Sequence, residues 1–155
     1  MEIISTKSKG LQTGHVGLNV SDLERSKQFY RAVFGFEVLS ESQEPGRRFV
    51  FLGLRRKLLL TLWEQSSGRF EKQRPGLHHL SFHVPGIDAV EEAERKLRML
   101  GAPLLYDGIV AHREGEASGG VFFEDPDGIR LEIYTSTGAQ KYAAPTLGVP
   151  ACGFF

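Results

Sequence analysis

One order of elements is written twice along this chain, and a repeat of that kind settles architecture before any detail does. His15-Val16-Gly17-Leu18-Asn19-Val20 alternates, with Val16, Leu18 and Val20 on one side and His15, Gly17 and Asn19 on the other. That is the period-2 mark of a half-buried strand. Ser21 and Asp22 are N-cap residues, and Leu23, Ser26, Phe29, Tyr30, Val33 and Phe34 recur at helical spacing before Gly35, so a helix is predicted over 22–34. Strands are predicted at 36–42, 47–54 and 58–64, broken by Glu44-Pro45-Gly46-Arg47 and by the basic turn Arg55-Arg56-Lys57. The series then restarts. A strand over 77–84 turns Leu80, Phe82 and Val84 one way and His79, Ser81 and His83 the other, and Pro85-Gly86 ends it. Asp88 is the expected cap of a second helix, which carries Val90, Ala93, Leu97 and Leu100 on one face and stops at Gly101. Strands are predicted at about 104–111, 119–125 and 129–134.

The register of the repeat is specific. His15 and His79 each open the first strand of their unit, 64 residues apart, while Leu60-Thr61-Leu62-Trp63 superposes on Leu131-Glu132-Ile133-Tyr134 with an offset of 71. The small difference fits loop insertions. This divides the chain into an N-terminal arm (1–12), one domain (13–134) made of module 1 (about 13–64), a Ser/Gly/Gln-rich linker (65–76) and module 2 (about 77–134), and a tail (135–155). An isolated four-stranded sheet must cover its apolar face, so each module is expected to lay its helix there and to leave the other face curved and partly polar. The predicted fold is α+β, two tandem βαβββ modules forming a curved mixed sheet around a metal-binding cup. The cup faces carry His15, Gly17 and Asn19; His79, Ser81 and His83; Thr61 and Trp63; and Arg130, Glu132 and Tyr134.

Glu132 is the residue that asks for chemistry. Asp125-Pro126-Asp127-Gly128 is a tight reversal, because Pro fixes φ and Gly supplies a positive one, and the strand after it alternates Ile129, Leu131 and Ile133 against Arg130, Glu132 and Tyr134. A carboxylate in mid-strand between core-type neighbours needs a partner, and a metal ion is the one expected. Surface pairing with Arg130 is the competing explanation. For the histidines, the ordinary explanation is a strand-end ring bonded to a nearby carbonyl, and only the repeat register, with Glu132, tips His15 and His79 toward ligands.

Composition removes other classes. Nineteen basic and nineteen acidic residues give a net charge of +0 and a pI of 7.0, which offers no footprint for nucleic acid or an anionic membrane. The single Cys152 forms no intrachain disulfide and suits a reducing, cytoplasmic setting. The start of the chain does not read as a secretory signal, and no stretch approaches the ~18 to 20 apolar residues of a membrane span. The tail has no periodicity; it is either disordered or lies across the cup or a partner subunit, with Phe154 and Phe155 as anchors.

Taken together, His15-Val16-Gly17-Leu18-Asn19-Val20 leading into Asp22 and Phe29-Tyr30, Phe34-Gly35-Phe36, His79-Leu80-Ser81-Phe82-His83-Val84, and Asp125-Pro126-Asp127-Gly128 followed by Glu132 resemble the vicinal oxygen chelate superfamily. It includes glyoxalase I, extradiol dioxygenases, fosfomycin-modifying enzymes and bleomycin-binding resistance proteins, and the resemblance covers about 13–134. It implies a divalent metal held by His15, His79 and Glu132, with the fourth family position falling on Thr61, where glyoxalase I has a ligand. Two imidazoles and one carboxylate suit Fe(II), which is favoured, as well as Mn(II), Zn(II) or Ni(II). The ligand set implied is most like that of an extradiol-type ring-cleaving dioxygenase acting on a small, aromatic or catecholic substrate with vicinal oxygens. His112 or His83 would move protons, and Thr61, Trp63, Asn19, Phe122, Arg130 and Tyr134 would line the substrate. The family's catalytic Tyr falls on Phe122, a departure from the extradiol pattern. The alternatives are a glyoxalase-like lyase or isomerase, a fosfomycin-type thiol transferase, or a metal-free drug-sequestering protein. The resemblance also implies a homodimer, with the cup built within one chain or across two.

Overall fold

A computed structural model describes residues 10–155. Most of the arm expected over 1–12 therefore lies outside the described residues. The elements are β1 (Val16–Val20), α1 (Leu23–Phe34), β2 (Glu37–Ser42), β3 (Phe49–Leu54) and β4 (Lys57–Glu64), then β5 (Leu80–His83), α2 (Ile87–Met99), β6 (Val110–Ala111), β7 (Gly119–Glu124) and β8 (Arg130–Thr135). They form two four-stranded mixed sheets of matching order, β1-β4-β3-β2 and β5-β8-β7-β6. In each, the first strand of the module runs parallel to its last, and every other pairing is antiparallel. The α+β fold of two βαβββ modules is thus the one the repeat predicts.

The helix ends follow from local chemistry, with one correction. Asp22 caps α1 by accepting from the Arg25 amide at 3.0 Å, and Gly35, at φ 70°, closes it with a bond back to the Arg31 carbonyl. The second helix begins one residue before the expected cap. Its N-cap is Gly86, without a side-chain bond, and Asp88 lies in the first turn, where its charge complements the helix dipole. The strand expected over 104–111 is also cut short. Leu104 and Leu105 still pair along β7, but Tyr106–Gly108 turns outward through a Gly108 amide bond to the Tyr106 carbonyl at 2.8 Å, with Gly108 at φ 109°, and only Val110 and Ala111 rejoin the ladder.

Both sheets turn their apolar faces onto one core. Leu18, Val20, Val50, Leu52, Leu60 and Leu62 of the first sheet and Val121, Phe123, Leu131 and Ile133 of the second are buried together with Leu23, Tyr30 and Val33 of α1 and Val90 and Leu97 of α2. The first helix docks on the second module: Phe34 lies 4.5 Å from Phe82 between ring centroids, Phe29 6.3 Å from Phe123, and Tyr30 donates its hydroxyl to Asp125 Oδ2 at 2.9 Å. Ser21 and Arg25 bond Asp127 of the same turn. That turn is the predicted one, with Asp125 Oδ1 accepting from the amides of Asp127 and Ile129 and Gly128 at φ 86°. The shared core leaves the opposite, outer face of each sheet to carry the polar residues.

Candidate functional site

Strand pairing fixes which side chains share each outer face. On the first sheet Gly17, Thr61 and Phe51 form one row and Asn19, Trp63 and Phe49 the next; on the second, Ser81, Glu132 and Phe122 form one and His83, Tyr134 and Gly120 the next. Val16 stands opposite Leu60 and Leu80 opposite Leu131, so the offsets of 64 and 71 are those of the folded ladders as well. Thr61 and Glu132 occupy equivalent places, and His15 and His79 each sit one residue ahead of the strand beside them.

The second sheet concentrates the acid–base groups. Glu132 is 3% exposed, and His112 and His79 approach opposite oxygens of its carboxylate, with His112 Nε2 2.6 Å from Oε1 and His79 Nε2 3.5 Å from Oε2. Burial pulls the Glu132 carboxyl upward, but hydrogen bonds from His112, His79 and Ser81 outweigh it and hold the group at about 2. Its partners therefore face an ionised carboxylate, which only accepts, so His112 donates to it from Nε2, while Nδ1 lies 2.7 Å from the Ser118 hydroxyl. The two imidazoles straddle the carboxylate and do not converge with it on a single point. Among the described residues no three His, Cys, Asp or Glu side chains form a group that could hold an ion. His79 and Glu132 fit a divalent metal by donor chemistry; within one chain the set stops short of three.

The remaining expected site residues divide by sheet. His15 is exposed ahead of β1 and is not part of the Glu132 cluster. His83 is exposed, bonds Ser136, and meets Tyr134 edge-on with centroids 5.0 Å apart; Tyr134 in turn lies 5.6 Å from His112. Arg130 does not pair with Glu132: its Nε donates to the His78 carbonyl at 2.9 Å. Phe122 is fully buried beside His112. On the first sheet Thr61 Oγ1 accepts from the Trp63 indole at 3.0 Å, Asn19 Oδ1 accepts from the Gln65 amide, and Trp63 packs with Phe49 and Phe51 beside a groove of about 440 Å³ bordered by Arg47 and Arg48. Arg48 bonds both oxygens of Glu64.

Three groups escape a reading of the sequence. Ser118 orients His112 from a loop whose spacing carries no signal. His78, which alternation over 77–84 would turn inward with Leu80 and Phe82, is exposed and places Nδ1 2.8 Å from His79 Nδ1. The tail, finally, returns over this face: Ala151 donates to the His112 carbonyl, Cys152 has its thiol pushed up by burial and by the Glu132 charge, and Phe155 packs on Phe122. The sequence offered the tail only as one of two open possibilities, since a stretch without periodicity announces no docking face.

A duplicated βαβββ frame with His, Glu and aromatic residues on its outer faces defines a family. The model of the Glyoxalase/Bleomycin resistance protein/Dioxygenase superfamily matches residues 12–133, and the chain belongs to it. It is 31% identical over 124 residues to a catechol-2,3-dioxygenase of Bacillus subtilis, covering 78% of this chain but only 40% of that protein. It is 30% identical over 134 residues to a lactoylglutathione lyase of Escherichia coli O157:H7, covering 82% of this chain and 94% of that one. Among solved structures, a glyoxylase/bleomycin resistance protein/dioxygenase domain from Frankia sp. EAN1pec superposes with a TM-score of 0.71 at 26% identity, over 83% of this chain and 99% of that domain. No helix among the described residues is long and apolar enough to cross a membrane.

Proposed function

We propose that the protein is a divalent-metal-dependent enzyme acting on a small substrate with vicinal oxygens, its metal held by His79 and Glu132 of one chain and His15 of a second copy. The observation that carries this reading is the buried Glu132 carboxylate, kept ionised at about 2 beside His79 and His112. A carboxylate that stays ionised while buried next to an imidazole presents the oxygen and nitrogen donors a divalent cation takes. The shared helix-side core supports the second copy's role, because the outer faces with His15 and with His79 do not meet in one chain. A homodimer would bring one of each together, in the reducing, cytoplasmic setting that Cys152 suits. Fe(II) is favoured, with Mn(II), Zn(II) or Ni(II) as alternatives.

A bound divalent ion would supply Lewis-acid stabilisation of an oxyanion on the substrate. The chain's own groups do the rest. Ser118 fixes the His112 ring so that its Nε2 proton points at the ligand carboxylate, buried Phe122 limits access of water beneath it, and Tyr134 and His83 extend the face toward a substrate. On the opposing face Trp63, held by Thr61, offers a flat aromatic wall, with Asn19 beside it in the ladder. An extradiol-type ring cleavage is the first reaction to assay. A glyoxalase-type lyase or isomerase is favoured instead by coverage, since this chain spans nearly the whole of the lactoylglutathione lyase and less than half of the dioxygenase.

The test begins with metal. Wild type purified with Mn(II) should retain an ion that Glu132→Ala and His15→Ala both lose; equal, negligible metal in all three removes this reading. Fe(II) added anaerobically, followed by catechols and O₂, then separates the reactions, because oxygen uptake beyond that of a protein-free Fe(II)–catechol control belongs to ring cleavage alone.

A further inference from the structure

The outer face of the second sheet carries a slot for a planar ring directly beside the Glu132 cluster, and the slot is filled. The ring of Phe155 lies 5.3 Å from Phe122, 6.0 Å from Tyr106, 5.6 Å from His78 and 6.0 Å from His79, and the Arg130 guanidinium carbon stands 5.1 Å from its centroid. Aromatic edges on several sides and a cation over the ring make a receptor for an electron-rich aromatic. Its walls are built from the fold itself, since Phe122 is fully buried and Arg130 is anchored to the His78 carbonyl. The segment that brings Phe155 there is held by a few hydrogen bonds, the shortest of them at Ala151. Ala151 donates its amide to the His112 carbonyl at 2.9 Å, and the Tyr106 hydroxyl donates to the Ala151 carbonyl at 2.8 Å. The adjoining Phe154 side chain points away and is exposed, as are Pro145, Thr146, Leu147 and Gly148 just before the anchor.

We infer that this slot is an aromatic-ligand subsite of the same site, and that residues 150–155 are its internal competitor, to be lifted away before an aromatic ligand can sit against His79. The inference names the ligand class for the site proposed above and shares that reading for the metal, but the slot itself needs no metal. Its anchoring bonds end on the His112 carbonyl and on Tyr106, so displacement would free the backbone behind the His112 ring as well. If the segment is seated nine-tenths of the time, it lowers the apparent affinity of a ring ligand about tenfold.

The probe is 4-methylcatechol, an electron-rich ring whose binding is followed by the change in protein fluorescence, titrated anaerobically into wild type, Phe155→Ala, a chain ended after Val149, and the control Phe154→Ala. The expected result is about tenfold tighter binding to Phe155→Ala and to the shortened chain, no change for Phe154→Ala, and faster exchange of the Ala151 amide in wild type when the probe is added. Equal affinity across all four chains, no binding to any, or an Ala151 amide that stays protected with probe bound would each overturn the inference. The same four chains are loaded with Mn(II) in parallel. Loss of metal binding everywhere with the tenfold difference intact would remove the metal reading and leave this one standing; intact metal binding with no difference would do the reverse.

Discussion

Tyr30→Phe should loosen the joint between the two modules by a measurable and pH-dependent amount. Tyr30 is fully buried, and its hydroxyl is the partner of Asp125 Oδ2, while Oδ1 is already taken by the amides of Asp127 and Ile129. Removing the hydroxyl leaves one oxygen of a 2% exposed carboxylate without a donor. A hydrogen bond to a charged group contributes about 1.5–3 kcal/mol. For a domain of this size that corresponds to a fall in Tm of roughly 3–12 °C. Burial already raises the Asp125 carboxyl above its ordinary value, more than the hydrogen bonds from Ile129, Tyr30 and Asp127 lower it. A raised carboxyl means that the fold holds this proton more tightly than the unfolded chain does, so this group favours folding as pH falls through its range and opposes it as pH rises. The variant, lacking one of the donors that favour the charged form, has its carboxyl raised further. Its deficit should therefore be full at pH 7 and shrink at pH 3, where the carboxyl binds its proton. Urea unfolding of metal-free wild type and variant at both pH values measures this. A loss below about 0.5 kcal/mol at pH 7, or the same loss at both, would refute the claim that a buried, charged Asp125 depends on Tyr30.

Other substitutions report on the site and its frame. Ser118→Ala leaves His112 Nδ1 without its hydroxyl, and loss of such an orienting partner should lower the turnover of the metal-loaded enzyme about 10-fold or more with little change in metal content, measured by steady-state assay beside metal analysis. Gly53→Ala should prevent stable folding, because a Cβ there would lie 2.0 Å from the Lys57 backbone carbonyl oxygen, and soluble yield and circular dichroism will show it. Gly17→Ala places a Cβ 3.2 Å from Thr61 Oγ1 and is expected to keep the fold while altering Trp63 fluorescence, since the indole donates to that same oxygen. Arg25→Ala, which removes a half-exposed partner of Asp127, should cost less than about 1 kcal/mol by urea unfolding.

What could be read from the sequence was whatever left a periodic trace. The alternation in 15–20 and 129–134 placed the outer-face residues, and Gly35 and the Asp125–Gly128 reversal placed two boundaries, because each depends on chemistry within a few residues. The short β6 was not legible: the same Leu104–Ala111 stretch reads as a strand until the outward turn at Gly108 is known, where the chain runs so close to α2 that a Cβ at Gly108 would meet the side chains of Glu94 and Arg98. Nor was His112's partner. Pattern put it in a loop, while its bond to Glu132 crosses 20 residues and depends on how β6 ends. His78 shows the limit from the other side, since alternation assigned it inward, yet β5 begins only at Leu80 and the residue ahead of a ladder has no obligatory face.

The two modules share a frame and differ at the positions that matter. At the equivalent ladder place, module 1 has Thr61, whose hydroxyl is spent on the Trp63 indole, and module 2 has Glu132, whose charge is held by two imidazoles and Ser81. One place along, Trp63 packs with Phe49 and Phe51, while Tyr134 lies between His83 and His112. One outer face is therefore an aromatic wall with no acid in its central row, and the other is a charged, hydrogen-bonded one. A face of either kind alone could grip a ring or hold an ion, whereas chelating a ring's vicinal oxygens needs both at once. Because the common core turns the two faces outward, they do not share one surface of a single chain, and the proposed homodimer, by pairing unlike halves from two copies, would give both sets of residues a use.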